Sequence, residues 1–137
     1  MIAISKAIQG NAAFIDRRFV ENFKGMKEAN IPTRLAYHYF EGGPNSASAK
    51  EQAEHFIRTL DKAGFDPGKD FIVIDVEKDC NKGAVKSEFS EKLVELVKLL
   101  KEKVPAKLYI YTNRDGWNSL VDTEHDDFFE QYPLWGH

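Results

Sequence analysis

Apolar residues recur along this chain with two alternating periods. Short runs rich in β-branched and aromatic residues read as strands, and longer stretches with apolar positions three and four apart read as helices. The strand segments are IAISKA (2–7), TRLAYHYF (33–40), DFIVIDVE (70–77) and AKLYIYTN (106–113), and YPLW (132–135) begins another. Residues 16–30 place Phe19, Phe23 and Met26 on one helical stripe. A helix from about Ser48 carries Ala53, Phe56, Ile57 and Leu60 on one face, and residues 87–104 carry Phe89, Leu93, Leu96, Val97 and Leu100. Ser48 and Glu51 have capping-box spacing. Gly64 stands as a C-terminal cap with Pro67 beyond it. RDGWNSLV and EHDDFFEQ read as short helical pieces after the fourth strand.

The order βαβαβαβα, followed by the start of a further β, predicts an α/β fold. Strands alternating with amphipathic helices imply a parallel sheet with right-handed crossovers. The glycines form neither a G-x-G-x-x-G nor a Walker A loop, so the nucleotide-fold fingerprint is missing. The expected architecture is an incomplete TIM-like (β/α) barrel, in a single partial domain over residues 1–137.

The chain has 137 residues, 42% of them hydrophobic and 30% charged. That balance fits a single globular core. A net charge of -3 offers no basic footprint for nucleic acid or anionic lipid. A polymeric substrate would have to be gripped by shape, stacking and hydrogen bonds. No apolar run approaches a membrane span, and the start MIAISKAIQG lacks the pattern of a signal peptide. Cys80, the single cysteine, excludes an intrachain disulfide and has no base at nucleophile spacing.

In parallel α/β sheets, ligands bind at the carboxyl ends of the strands. Period-two geometry puts Asp75 and Glu77 on one face with Phe71 and Val73, and turns Ile72, Ile74 and Val76 toward helices. Tyr37 and Tyr39 share a face, as do Tyr109 and Tyr111. Lys6 closes the first strand, and Trp135 lies near the end of the last. A carboxylate pair ringed by aromatic residues suits a sugar site, where apolar ring faces meet aromatics and cleavage needs a proton donor. Neighbouring carboxylates resist double ionisation, so one keeps its proton to higher pH. Glu77, longer and nearer the mouth, is the candidate acid, and Asp75 sits one pleat deeper.

The plainer readings are structural. Asp-x-Glu can simply be a polar strand exit, and Lys6 can pair with an acid. Tyr109 reads as core and Trp117 as packing. His38 points away from Tyr37 and Tyr39, toward a hydrogen-bonded packing role. His55 reads as an exposed flank, and the lysine-rich helix 86–103 as a solvated face. No histidine spacing supports a metal site, and no cofactor is expected.

ISKAIQG, AYHYF, IVIDVE, LYIYTN and YPLW occur in the order seen in glycoside hydrolase family 25, whose lysozymes carry stretches like IKATEG, AYHF, LDVE, IYT and LWIA. AKEQAEHFIRTL resembles the family's A..QA..F helix. The chain thus resembles these N-acetylmuramidases along nearly its whole length. The resemblance implies a distorted β/α barrel that hydrolyses the β-1,4 bond from N-acetylmuramic acid to N-acetylglucosamine in peptidoglycan. It implies Glu77 as general acid/base and Asp75 as partner carboxylate in a retaining mechanism assisted by the substrate's acetamido group. Lys6, Tyr39, Tyr111 and Trp135 fall where the family contacts substrate, and Tyr37 shares a face with Tyr39. An extracellular or cell-wall-directed location is implied.

The chain also departs from the family pattern. An earlier strand like D-V-S-x-x-Q, bearing a further Asp, and the strands after LWIA have no counterpart in it. Gln9 stands where the family often has Glu. Open sheet edges would favour a homo-oligomer that covers them. Two functional readings follow: a muramidase, or a relative without turnover that binds glycan or persists as an oligomerising barrel fragment.

Overall fold

Among the described residues, five parallel strands lie side by side in chain order: β1 (Ile2–Gln9), β2 (Thr33–Tyr39), β3 (Phe71–Asp75), β4 (Lys107–Tyr111) and β5 (Leu134–Trp135). The computed structural model describes residues 2–9, 24–25, 33–78 and 81–135. Within these, residues 2–9, 33, 37, 134 and 135 are described by backbone alone. The helix expected over 16–30 lies outside the described residues except at Lys24 and Gly25, which are helical. Cys80 also lies outside them.

Two long helices, α1 (Ala49–Ala63) and α2 (Lys86–Lys103), fill the β2–β3 and β3–β4 crossovers and pack on each other. After β4 come α3 (Arg114–Leu120), a single 3₁₀ turn at Thr123–His125, and α4 (Asp126–Phe129). The parallel α/β class read from the sequence is therefore present. Among the described residues the sheet is open, with β1 and β5 as its edges, and it does not close into a barrel.

Local chemistry sets the helix ends. At the start of α1, Ser48 Oγ accepts from the Glu51 amide at 3.1 Å. This satisfies one of the donors that every helix start leaves unpaired. At its end Gly64 adopts φ 74°, a left-handed conformation that costs glycine little. The Phe65 amide then reaches back to the Leu60 carbonyl and the Gly64 amide to that of Asp61, the paired bonds of a Schellman stop.

Strand alternation divides the sheet's residues between two faces. Ala36, Phe40, Ile72, Ile74, Val76, Leu108 and Ile110 enter one apolar core with Ala53, Phe56 and Leu60 of α1 and Phe89, Leu93, Leu96, Val97 and Leu100 of α2. Phe40 and Phe89 meet edge to face at 5.1 Å. Fully burying each such large side chain contributes roughly 1.5–3 kcal/mol, so this face holds the helices to the sheet. Trp117 packs on the same core and meets Phe129 edge to face at 5.1 Å, the packing role read from sequence. Tyr132 lies beside Phe128, and burial pushes its phenol up from the ordinary 10.0.

His55 is a correction. It was expected on an exposed flank of α1, but it is buried. The helix is covered over more than one apolar stripe: Gln52, His55 and Thr59 are as deeply buried as Phe56 and Leu60. A helix flanked by both a sheet and a second helix is covered on two sides, which a single-stripe pattern does not anticipate.

At the amino end of the sheet, a polar knot ties three segments together. Arg34 of β2 donates through Nε to Asp70 Oδ1 at 3.0 Å and through Nη2 to the Gly64 carbonyl at 3.1 Å. Its Nη2 also pairs with Asp70 Oδ2, and that oxygen accepts from the Asp66 amide at 2.8 Å. Both side chains are within a few per cent of full burial, at 4% and 3% exposed. Removing one member of a buried ion pair strands the other charge, at a cost of about 3–5 kcal/mol. Arg34→Met should therefore lower unfolding free energy by about 3 kcal/mol in urea denaturation. A loss within the error of the extrapolation would show that the pair does not hold the α1–β3 connection.

Candidate active site

The Asp-Val-Glu segment leaves β3 without leaving the sheet's hydrogen-bond pattern. On the β2 side the Phe40 amide donates to the Asp75 carbonyl at 3.0 Å. On the β4 side the Val76 amide donates to the Tyr111 carbonyl at 2.9 Å. Thr112 Oγ1, buried, donates to the Val76 carbonyl at 2.8 Å. The strand is thus held extended for a further pleat, although its regular ladder ends at Asp75. Val76 is buried in the helix-facing core, so period two turns Asp75 and Glu77 to the opposite face.

Strand register assembles the neighbours. Gln9, Tyr39, Asp75, Tyr111 and Trp135 are paired in succession across β1 to β5, forming one transverse row at the carboxyl end. Four of the residues singled out from sequence, Tyr39, Asp75, Tyr111 and Trp135, therefore share this row. Lys6 and Tyr37 pair with each other in the row of Val73 and Tyr109, one same-face step deeper. For Lys6, Tyr37 and Trp135 the placement is of backbone, since their side chains are outside the description. A register shift between Lys6 and Ile8 bulges β1 and brings Gln9 level with Tyr39.

The side chains at the centre of the row differ in access. Asp75 is 6% exposed, whereas Glu77, Tyr39 and Tyr111 are half-buried. The Tyr39 hydroxyl donates to Glu77 Oε2 at 2.9 Å, joining the β2 and β3 ends through their side chains. At the rim Lys78 pairs with Asp115 at 3.1 Å, both largely in solvent. Among the described residues no cluster of His, Cys, Asp and Glu could hold a metal ion.

Behind the row, His38 takes the packing role read from its face. It is buried, stacks on Phe56 at 5.5 Å and meets Gln52 Oε1 at 2.8 Å. Gln52 Nε2 donates to the carbonyls of Glu41 and Ala47 at 2.7 and 2.9 Å. With both amide hydrogens committed, Gln52 Oε1 must accept, which places a hydrogen on His38 Nε2. The β2–α1 loop is therefore moulded onto α1 from inside.

Sequence reasoning assigned no role to Gln52, the Q of the A..QA..F resemblance, and passed over Thr112, Gly42 and Asn81. A polar residue among Ala49, Ala53 and Phe56 on the apolar stripe was the available signal for Gln52. Gly42 is required by close approach, since a Cβ there would lie 2.5 Å from the Phe89 ring and 3.0 Å from that of Phe40. Gly42→Ala should destabilise the fold by about 1–3 kcal/mol through overpacking. An unchanged thermal midpoint would contradict this close fit.

Parallel strands ending in an acid pair and tyrosines define an α/β protein with a candidate site at the strand mouth. The family is also defined: residues 1–136 match the model of Glycosyl hydrolases family 25, and the chain belongs to that family. Solved structures share the fold. The muramidase of Acremonium alcalophilum matches with TM-score 0.73 and 22% identity over 98% of this chain and 64% of its own. The bacterial lysozyme of Streptomyces coelicolor matches with TM-score 0.74 and 23% identity over 98% of this chain and 62% of its own. The modular autolysin LytC of Streptococcus pneumoniae, solved with a synthetic peptidoglycan ligand, matches with TM-score 0.63 and 17% identity over 94% of this chain and 30% of its own. The chain spans less than two thirds of the length of each of these relatives. No curated protein sequence matches it significantly.

Proposed function

We propose that this chain is a peptidoglycan hydrolase of the muramidase type, built on a segment of a (β/α) barrel, with Glu77 as general acid/base and Asp75 assisting. The observation that carries the reading is the 2.9 Å bond from Tyr39 to Glu77 Oε2, beside Asp75 in the same strand mouth. Membership of the glycosyl hydrolase family and the likeness to muramidase and lysozyme folds support it.

The proposed chemistry is the one that membership of the glycosyl hydrolase family implies, carried onto these residues. Tyr39 engages Oε2, which leaves Oε1 as the oxygen proposed to meet the glycosidic oxygen of a bound glycan. Glu77 donates its proton there as the bond to N-acetylmuramic acid breaks. Asp75, deeper and shielded, orients the sugar's acetamido group, whose oxygen attacks the anomeric carbon, and stabilises the positive charge that develops. Glu77, now a carboxylate, takes a proton from the water that opens the cyclic intermediate, and configuration is retained. Tyr111 and Trp135, in the row, and Lys6 and Tyr37, below it, are the proposed substrate contacts.

A second reading has one observation in its favour. Gln9, whose backbone pairs with Tyr39 at the β1 end of the row, is glutamine by type where the family often has Glu, which suits glycan binding without turnover. A cell-wall clearing assay separates the two. Glu77→Gln should lower the clearing rate by about 10²–10⁴-fold, the usual contribution of a positioned acid/base. Equal clearing by both proteins would remove Glu77 from the mechanism, and no clearing by either would favour the binding reading. Tyr39→Phe should slow clearing by roughly tenfold while changing stability by no more than about 1 kcal/mol. A clearing rate equal to the wild type's would deny the phenol its orienting role.

A further inference from the structure

We infer that Asn81 is a positioning residue that fixes Glu77 and the β2–α1 loop as one unit at the strand mouth. This rests on the assignment of Glu77 as the acid/base.

Asn81 is buried, 3% exposed, in the loop that follows β3. Its side chain meets three backbone groups and no other side chain in the hydrogen-bond pattern described. Nδ2 donates to the Glu77 carbonyl at 2.7 Å and to the Phe40 carbonyl at 3.1 Å. Oδ1 accepts from the Gly42 amide at 2.9 Å. Two acceptors and one donor match a primary amide in one orientation only, so the O and N assignment is fixed by the partners. The residue's own backbone is held as well: its amide donates to the Lys78 carbonyl at 2.9 Å, and its carbonyl accepts from Ala84 at 3.1 Å.

The consequence lies in what these partners are. Phe40 directly follows Tyr39, the residue bonded to the Glu77 carboxyl group. Gly42 lies where the loop passes so close to Phe89 that no side chain fits. Asn81 therefore fastens Glu77 at its main chain while Tyr39 fastens it at its carboxyl group, and both fastenings run to one continuous stretch, the last residue of β2 and the loop that follows it. Two attachment points on one residue fix its orientation as well as its position. A misplacement of about 1 Å at a reacting group can cost on the order of 10²-fold in rate. A residue that served only stability would not affect that geometry once the protein is folded.

Asn81→Asp is close to isosteric and keeps an acceptor for Gly42, but it turns a carboxylate oxygen toward two carbonyls. Asn81→Ala removes all three bonds. Both are compared with wild type at a temperature where each is fully folded, with Arg34→Met as a variant destabilised at the opposite end of the sheet. For Asn81→Asp, kcat on cell walls should fall by roughly tenfold or more with KM within about twofold, and the ¹³C resonance of the Glu77 carboxyl should move. Arg34→Met should lose stability with kcat retained. An unchanged kcat in folded Asn81 variants, or a Glu77 carboxyl resonance that stays in place, overturns the inference.

If the wild type clears no cell wall, the proposed activity fails. The carboxyl resonance then decides the role of Asn81 by itself: movement in Asn81→Asp sustains it, and no movement overturns it. Wild-type protein supplies an arm that needs no variant. The Gly42 amide and the Asn81 side-chain amide should exchange slowly with solvent, and rapid exchange of either overturns the inference.

Discussion

The arrangement at the mouth depends on one constraint: β3 stays hydrogen-bonded after its regular ladder has ended. Phe40, Tyr111 and Thr112 hold the Asp75 carbonyl and both backbone polar groups of Val76 from the two sides. A polar segment at a strand end would otherwise be free to turn into solvent, and alternation would end with the ladder. Because it is held, Val76 stays in the helix-facing core and the two acids stay on the other face. Backbone polar groups buried at a sheet end must find partners; here those partners also aim the carboxyl groups.

The two faces of the sheet divide the labour. Ile72, Ile74 and Val76 bind α1 and α2 through apolar burial, which is strong and insensitive to direction. The mouth is held by hydrogen bonds from Tyr39, Thr112 and Asn81, which are weaker in net energy and strict in direction. The amino end carries the buried Arg34–Asp70 pair, far along β2 and β3 from the acids. Stability is thus concentrated in the helix-facing layer and the amino end, and orientation at the carboxyl end.

Much of this was legible in the chain because period and capping are local signals. The alternation in FIVIDVE predicted Ile72, Ile74 and Val76 on the helix-facing side, and all three lie in that core. Ser48 and Gly64 marked both ends of α1 through chemistry that acts within a few residues. Tyr39, Asp75, Tyr111 and Trp135 were grouped correctly because parallel strands put their carboxyl ends at one edge. What the sequence did not disclose depends on contacts between distant segments. Asn81 is an unremarked polar residue until Phe40, Gly42 and Glu77 are brought around it. His55 is polar by type and buried by position, because α2 and the sheet together cover more of α1 than one stripe. The bulge in β1 that levels Gln9 with Tyr39 has no local signature either.

The proposed activity breaks the glycan at N-acetylmuramic acid. The most direct measurement is mass spectrometry of purified peptidoglycan after digestion and borohydride reduction. Fragments ending in reduced N-acetylmuramic acid should form with the wild type and not with Glu77→Gln. Fragments ending in reduced N-acetylglucosamine, or the same products from both proteins, would contradict that activity.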